Sequence, residues 1–221
     1  SLTKKDWICA MLEHCCSDKK HDELKGVPLA LTDDGVLHAF ALRENEPVYT
    51  GTKAERTLLS SCNGLFLDEE VESRLGVKKN DNAGVDQMTA QELTSRLSGV
   101  LCSLGDGYRV KWDPTVSGIP EEEWLITFYE YLTAAEGYSV DRSVLETLPL
   151  VPDQFGDLRG LGNEFTPLLP SRKDEQAPLI EALRHFRVPL VDATTDTLFS
   201  AITSFDNKCK GAAIWEITGR D

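Results

Sequence analysis

The stretch Leu24 to Phe40, LKGVPLALTDDGVLHAF, decides the fold. Val27, Leu29 and Leu31 alternate with Pro28, Ala30 and Thr32, the two-residue period of a half-buried strand. Asp33-Asp34-Gly35 interrupts the run, and Val36, Leu37, Ala39 and Phe40 resume it. Asp-Gly between two apolar runs predicts a β-hairpin closed by a tight primed turn. Such a turn needs positive φ, which glycine adopts without a Cβ clash. Pro28 has no N–H to give to a ladder, which predicts an edge strand or an outward-facing position.

The same phrase returns at Leu145 to Leu161, LETLPLVPDQFGDLRGL. Leu24, Pro28, Leu29, Gly35 and Leu37 line up without a gap on Leu145, Pro149, Leu150, Gly156 and Leu158. A repeated Leu-Pro-Leu alone carries little. Matches at one constant spacing around a turn glycine predict an internal duplication.

The elements around the two phrases follow the same order. Residues 4–16 put Trp7, Ile8, Met11, Leu12 and Cys15 at three- and four-residue spacing, predicting a helix with that face inward. After the first hairpin come an extended Pro47-Val48-Tyr49, a helix from Lys53 to Cys62 with Leu58 and Leu59 inward, a buried Leu65-Phe66-Leu67, and helical turns from Asp68 to Leu75. Thr89 to Glu92 has the capping-box pattern, before a helical stripe of Leu93, Leu97, Val100, Leu101 and Leu104. Residues 105–120, punctuated by Gly and Pro, read as the joint between halves.

In the second half, Glu121-Glu122-Glu123 open a helix whose apolar face is Trp124, Leu125, Phe128, Tyr129 and Leu132. Pro167-Leu168-Leu169 then stands where Pro47-Val48-Tyr49 stood. A helix from Lys173 to His185 places Leu179, Ile180 and Leu183 inward, as Leu58 and Leu59 were. Leu190-Val191-Asp192 answers Leu65 to Asp68, and Thr194 to Phe205 forms a last helix with Leu198, Phe199, Ile202 and Phe205 inward. Residues 211–220 offer a further strand through Ala213, Ile214 and Trp215. The expected fold is therefore α+β. Two tandem similar subdomains, 1–112 and 113–221, each pack a small mixed sheet with helices, and the two halves pack as one unit.

Composition limits the functions available. The chain has 221 residues and a net charge of −14, which opposes binding to nucleic acid or to an anionic membrane surface, since both rely on Lys and Arg. No apolar run approaches the roughly 20 residues of a membrane span. The opening SLTKKDWICAML is a charged start to an amphipathic helix, not a signal peptide, and it lacks Met, so we read the chain as a piece of something longer. Cys9, Cys15, Cys16, Cys62, Cys102 and Cys209 have no disulfide-framework spacing and fit reduced thiols in a cytosolic protein.

There is no G-x-x-x-x-G-K-[ST] phosphate loop and no dinucleotide fingerprint. Asp106-Gly107-Tyr108-Arg109 and Gly160-Leu161-Gly162-Asn163 are the nearest approaches to the D-x-G-x-G of a chaperone-type ATPase, and neither has the second glycine in place. His14, Cys15, Cys16 and His21 lie close in sequence, but adjacent cysteines on a helix diverge by about 100°, so the expectation is a helix end with one buried thiol and exposed imidazoles rather than a zinc site. Cys62 or Cys102 with His185 or His38 would be a thiol–imidazole pair, without local support. Asp68-Glu69-Glu70 and Glu121-Glu122-Glu123 suit helix starts better than acid–base pairs. Trp124, Phe128 and Tyr129 read as core. The expectation is no enzyme, with no catalytic, cofactor or metal residues.

The phrase L-x-G-[VL]-P-L, followed by T-D-D-G-V-L and an aromatic residue, resembles the repeat regions of the sacsin family. So does the order after it, carried here by Glu46 to Tyr49, Lys53 to Cys62, Thr89 to Leu104 and Glu121 to Leu132. The likeness spans Leu24 to about Phe205. It implies a cytoplasmic role in protein quality control and filament organisation, as a non-catalytic scaffold segment downstream of a chaperone-like ATPase module. It implies partners among other segments of the parent chain, including that ATPase module, and among client proteins or heat-shock chaperones. The alternative is an autonomous protein- or peptide-binding module for a client or cytoskeletal partner, using strand edges beside Pro28 and Pro149.

Overall fold

The computed structural model describes residues 3–17, 26–39, 48–62, 64–75, 85–104, 109–135, 142–161, 167–169 and 177–208. The expected strand at residues 211–220 lies outside them. The fold is mixed α+β, with small sheets of two or three strands beside helices. The chain divides into two compact units, Ser1–Thr89 and Ala90–Asp221.

In the first unit, α1 (Lys4–Ser17) starts on a reciprocal cap: Asp6 N–H donates to Thr3 Oγ1 at 3.1 Å and Thr3 N–H to Asp6 Oδ2 at 3.0 Å. Strands β1 (Pro28–Leu31) and β2 (Leu37–Ala39) form the expected antiparallel hairpin. A bulge between Pro28 and Ala30 breaks the alternation, so Leu29 and Ala30 are both buried while Pro28 faces out. β3 (Val48–Thr50) pairs in parallel with β4 (Val85–Gln87), and α2 (Lys53–Leu58) and α3 (Glu69–Leu75) complete the unit. Its core gathers Ile8, Leu12, Leu29, Val48, Leu67 and Val71. On α1 the inward residues are Ile8, Cys9 and Leu12, whereas Trp7 and Met11, expected inward, are 54% and 40% exposed.

The second unit begins with α4 (Ala90–Val100). It joins the second unit, not the first, because Cys102 N–H donates to Gly118 O and Leu104 N–H to Thr147 O, both at or under 2.9 Å. β5 (Arg109–Lys111), α5 (Glu122–Ala134) and a short α6 (Arg142–Leu145) follow. β6 (Val151–Pro152) and β7 (Asp157–Arg159) form the second hairpin, with β5 antiparallel on the far side of β7. α7 (Ala177–His185) and α8 (Asp196–Lys208) end the described chain. α5 and α8 pack on each other through Leu125, Phe128, Tyr129, Leu132, Leu198, Ile202 and Phe205, all buried; Phe199, expected inward, is only half-buried. The Tyr129 hydroxyl donates to Leu150 O at 2.9 Å, fastening α5 to the start of the second hairpin. Lys208 Nζ donates to the carbonyls of Leu132, Thr133 and Ala135, closing the C-terminal end of α5.

α7 departs from expectation. No residue in it is buried: Leu179 is 47% exposed, and Ile180 and Leu183 are half-buried.

Candidate functional site

The two hairpins are the sites at which to look for function, since the sequence repeats there. Both close in the same way. Thr32 N–H donates to Val36 O and Gly35 N–H to Thr32 O; in the second, Asp153 N–H donates to Asp157 O and Gly156 N–H to Asp153 O. Only the glycine of each loop has positive φ, +79° at Gly35 and +72° at Gly156. A primed turn needs positive φ at its first central residue, Asp34 or Phe155, and neither has it, so each loop is instead a three-residue connection ending on a left-handed glycine.

The likeness extends to the strand that follows. Thr32 bridges Leu67 antiparallel and Tyr49 bridges Phe66 in parallel; Asp153 bridges Val191 antiparallel and Leu168 bridges Leu190 in parallel. Asp68 N–H reaches back to Leu31 O, as Asp192 N–H does to Pro152 O. Leu168 thus answers Tyr49, one residue away from the pairing read off the sequence.

Side chains differ where the backbones agree. Thr32 Oγ1 donates to Asp34 Oδ1 at 2.6 Å, and that oxygen also accepts from Val36 N–H at 3.1 Å. The Thr32 hydroxyl, followed by the Val36 amide, holds the Asp34 carboxyl below the usual carboxylate range. In the second hairpin Asp153 does both jobs. Its Oδ1 accepts from Phe155 N–H and Asp157 N–H, while Oδ2 accepts from Arg159 Nε at 2.6 Å. Asp153 and Arg159 are 3% and 7% exposed. His38 stands where Arg159 stands, and its buried Nε2 has no hydrogen-bond partner among the described residues.

Beside the first hairpin lies a groove of about 590 Å³, lined by Lys5, Asp33, Asp34, Arg56, Asp68 and Glu69 among others. Several of its charges are matched internally. Lys5 Nζ meets Asp68 at 2.9 Å and Glu70 at 3.1 Å, Arg74 joins Asp6 to Glu70, and Arg56 pairs with Glu72. Arg56 also lies 5.0 Å over the Phe66 ring. Burial pushes the Asp68 carboxyl up, but the Lys5 hydrogen bond and the amides of Val71 and Glu70 outweigh it and leave the group lowered. Those amides make Asp68 the cap of α3. For Asp33, burial wins over the Gly64 amide, and its pKa is raised.

His14 lies on α1, the side chains of Cys15 and Cys16 lie outside the described residues, and so does His21. Among the described residues no three His, Cys, Asp or Glu side chains are grouped to hold a metal ion. Cys62 and His38 lie in the first unit, Cys102 and His185 in the second; His185 is edge-on to Phe186. Burial raises the Cys9 and Cys102 thiols, the opposite of an activated nucleophile. Of the two glycine-containing approaches to an ATPase motif, residues 106–108 and 162–163 lie outside the described residues. Glu122 accepts from Thr194 and Thr195 at the start of α8, a structural task.

Sequence reasoning did not reach β5, nor the buried Asp153–Arg159 pair. The pair joins positions six residues apart across a hairpin, and only the register brings them together. Comparison of the chain with protein-family models, curated proteins and solved structures gave no match. No described helix is long and apolar enough to cross a membrane.

Proposed function

We propose that this chain is a non-catalytic scaffold module of a large sacsin-type, chaperone-associated cytoplasmic protein. It couples an ATPase module upstream in the parent chain to the segments that follow, in protein quality control and filament organisation. One observation carries the reading: an aspartate at each turn and one at the groove are taken up in holding backbone. Asp34, Asp68 and Asp153 each accept from main-chain amides. The family phrase supports it, since its residues are those that build the hairpins.

The test is ATP hydrolysis by the chain alone and by a longer piece of the parent that includes the ATPase module. The expected result is no turnover by the chain alone, and turnover by the longer piece at a rate that Arg159→Met alters. ATP turnover by the chain alone, abolished by a point substitution within it, overturns the proposal.

A second reading, an autonomous protein- or peptide-binding module, is favoured by a different observation. β2 has β1 as its sole strand neighbour among the described residues, whereas its counterpart β7 has one on each side.

A further inference from the structure

We propose that Asp34-Gly35 is a latent modification site: the closed first hairpin holds it unreactive, and opening of the turn lets Asp34 convert to isoaspartate.

An aspartate followed by glycine can cyclise, because no side chain on the glycine shields its amide. Gly35 N attacks Cγ of Asp34. The amide proton and the carboxyl hydroxyl leave together as water, and a five-membered succinimide forms. One water then opens the ring. Hydrolysis at the side-chain carbonyl restores aspartate. Hydrolysis at the main-chain carbonyl leaves the chain running through the side chain, which is isoaspartate. One water is lost and one gained, and nothing is oxidised or reduced.

The folded turn withholds the geometry this needs. Gly35 N–H donates to Thr32 O at 2.8 Å, and neither Asp33 nor Asp34 has positive φ. A turn closed in that way is type I, with a ψ of about 0° at its second central residue, here Asp34. Ring closure requires Cβ of Asp34 to eclipse Gly35 N about the Cα–C bond. That is a large rotation in ψ, and it carries the Gly35 amide away from Thr32 O. The attacked carboxyl is fixed as well. Its Oδ1 accepts from Thr32 Oγ1 at 2.6 Å and from Val36 N–H at 3.1 Å. Its Oδ2 lies against Gly64, where an added Cβ would stand 2.8 Å from it. The Thr32 and Val36 donors also favour the ionised carboxyl, from which hydroxide does not leave.

Burial does not shield the pair, since Asp34 and Gly35 are both exposed. The protection lies in the turn's hydrogen bonds and goes when they open. The second hairpin has Phe155 before its glycine and so has no carboxyl there to cyclise. Conversion also prevents a return. In isoaspartate the former side-chain carbonyl belongs to a main chain that is one carbon longer, so the acceptor for Thr32 and Val36 is displaced. A chain whose first hairpin has once opened is thereby marked.

The full chain and the acetylated, amidated peptide ALTDDGVLH, the sequence of residues 30–38, are incubated side by side in water enriched in heavy oxygen, at one pH and below the unfolding temperature. Ring opening writes a heavy oxygen into the product. Peptide mapping with fragmentation assigns it to Asp34 rather than to Asn63-Gly64 or Asp106-Gly107. Isoaspartate at Asp34 is expected to form at least about tenfold more slowly in the chain than in the peptide. Thr32 is fully buried, and Thr32→Val removes its hydroxyl while keeping its shape and its main-chain bond to Gly35. That variant is expected to raise the rate in the chain about threefold and to leave the rate in the peptide unchanged. Urea below the unfolding transition is expected to raise the rate in step with amide exchange at Gly35. Equal rates in chain and peptide overturn the proposal, and so does a peptide that forms no isoaspartate. A folded Thr32→Val chain that keeps the parent rate overturns it too. Where that variant does not fold, urea decides: a rate that stays flat while Gly35 exchange accelerates overturns the proposal.

Discussion

Arg159 Nε donates to Asp153 Oδ2 at 2.6 Å across the second hairpin, and both side chains are buried. Removing one partner leaves a charge in a dry site, so Arg159→Met is expected to cost about 3–5 kcal/mol in urea unfolding. Adding Asp153→Asn removes the stranded charge and keeps an acceptor for the turn amides. The double variant is therefore expected to be more stable than Arg159→Met alone. A double variant that is less stable instead would show that the charge itself holds the turn.

Gly35 and Gly156 share a left-handed conformation, so Gly→Ala at either is expected to cost about 1–2 kcal/mol. Space is not the issue. A Cβ at Gly35 meets nothing within 4 Å, and one at Gly156 meets only the far end of the Lys111 side chain, at 3.0 Å. Gly→Asn, which tolerates positive φ better, is expected to cost less at both positions in thermal unfolding.

Gly51 is needed for the opposite reason. A Cβ there would stand 2.5 Å from Cε1 of Phe66, a ring that is 1% exposed and held beneath Arg56. Gly51→Ala is expected to destabilise by about 1–3 kcal/mol, and pairing it with Phe66→Leu is expected to recover part of that loss.

Asp33 gives a pH-dependent test. Its pKa is raised in the folded state by burial, so its ionised form opposes folding at neutral pH. That penalty is present above the folded value and disappears below the ordinary carboxyl value. Asp33→Asn is therefore expected to be more stable than the parent at pH 7, with the difference closing as pH falls through the carboxylate range. Asp34 and Asp68 act with the opposite sign. Their lowered values contribute stability above the ordinary carboxyl pKa, which is lost as pH falls through the folded ones. Urea midpoints from pH 7 down to pH 3 separate the two behaviours.

Lys208 closes the end of α5 with three carbonyl contacts. Lys208→Met keeps the apolar stem and removes the donor. The expected loss is about 1 kcal/mol, with amide exchange in the last turn of α5 accelerated first.

The hairpins were legible because their signals are local: alternation, then a turn glycine. α5 and α8 were legible because one face of each is buried along its length. β4 and β5 were not, because three-residue strands such as Arg109–Lys111 carry no period of their own and are defined by a distant partner. The loop type was misread because Asp-Gly fits both a primed turn and a three-residue loop, and only the φ of Asp34 separates them. α7 shows the converse failure. Its apolar spacing is real, yet spacing does not supply a surface to lie against. The capping box at Thr52 and Glu55 is also local, written in the sequence as T-x-x-E; Glu55 is 5% exposed and receives the Thr52 amide at 2.6 Å. At the groove, the run Asp68-Glu69-Glu70 was rightly read as a helix start, because a carboxylate beside free amides is a local matter. The Lys5 contacts to Asp68 and Glu70 come from far along the chain, whereas Arg74 meets Glu70 one turn away on the same helix.

Because both turns have the same main-chain bonds but different side chains, the molecule contains its own control experiment. A change made at one turn can be judged against an untouched sibling reporting under identical temperature, salt and concentration. Thr32 with Asp34, and Asp153 with Arg159, are two side-chain answers to one backbone problem, and a single sample ranks them.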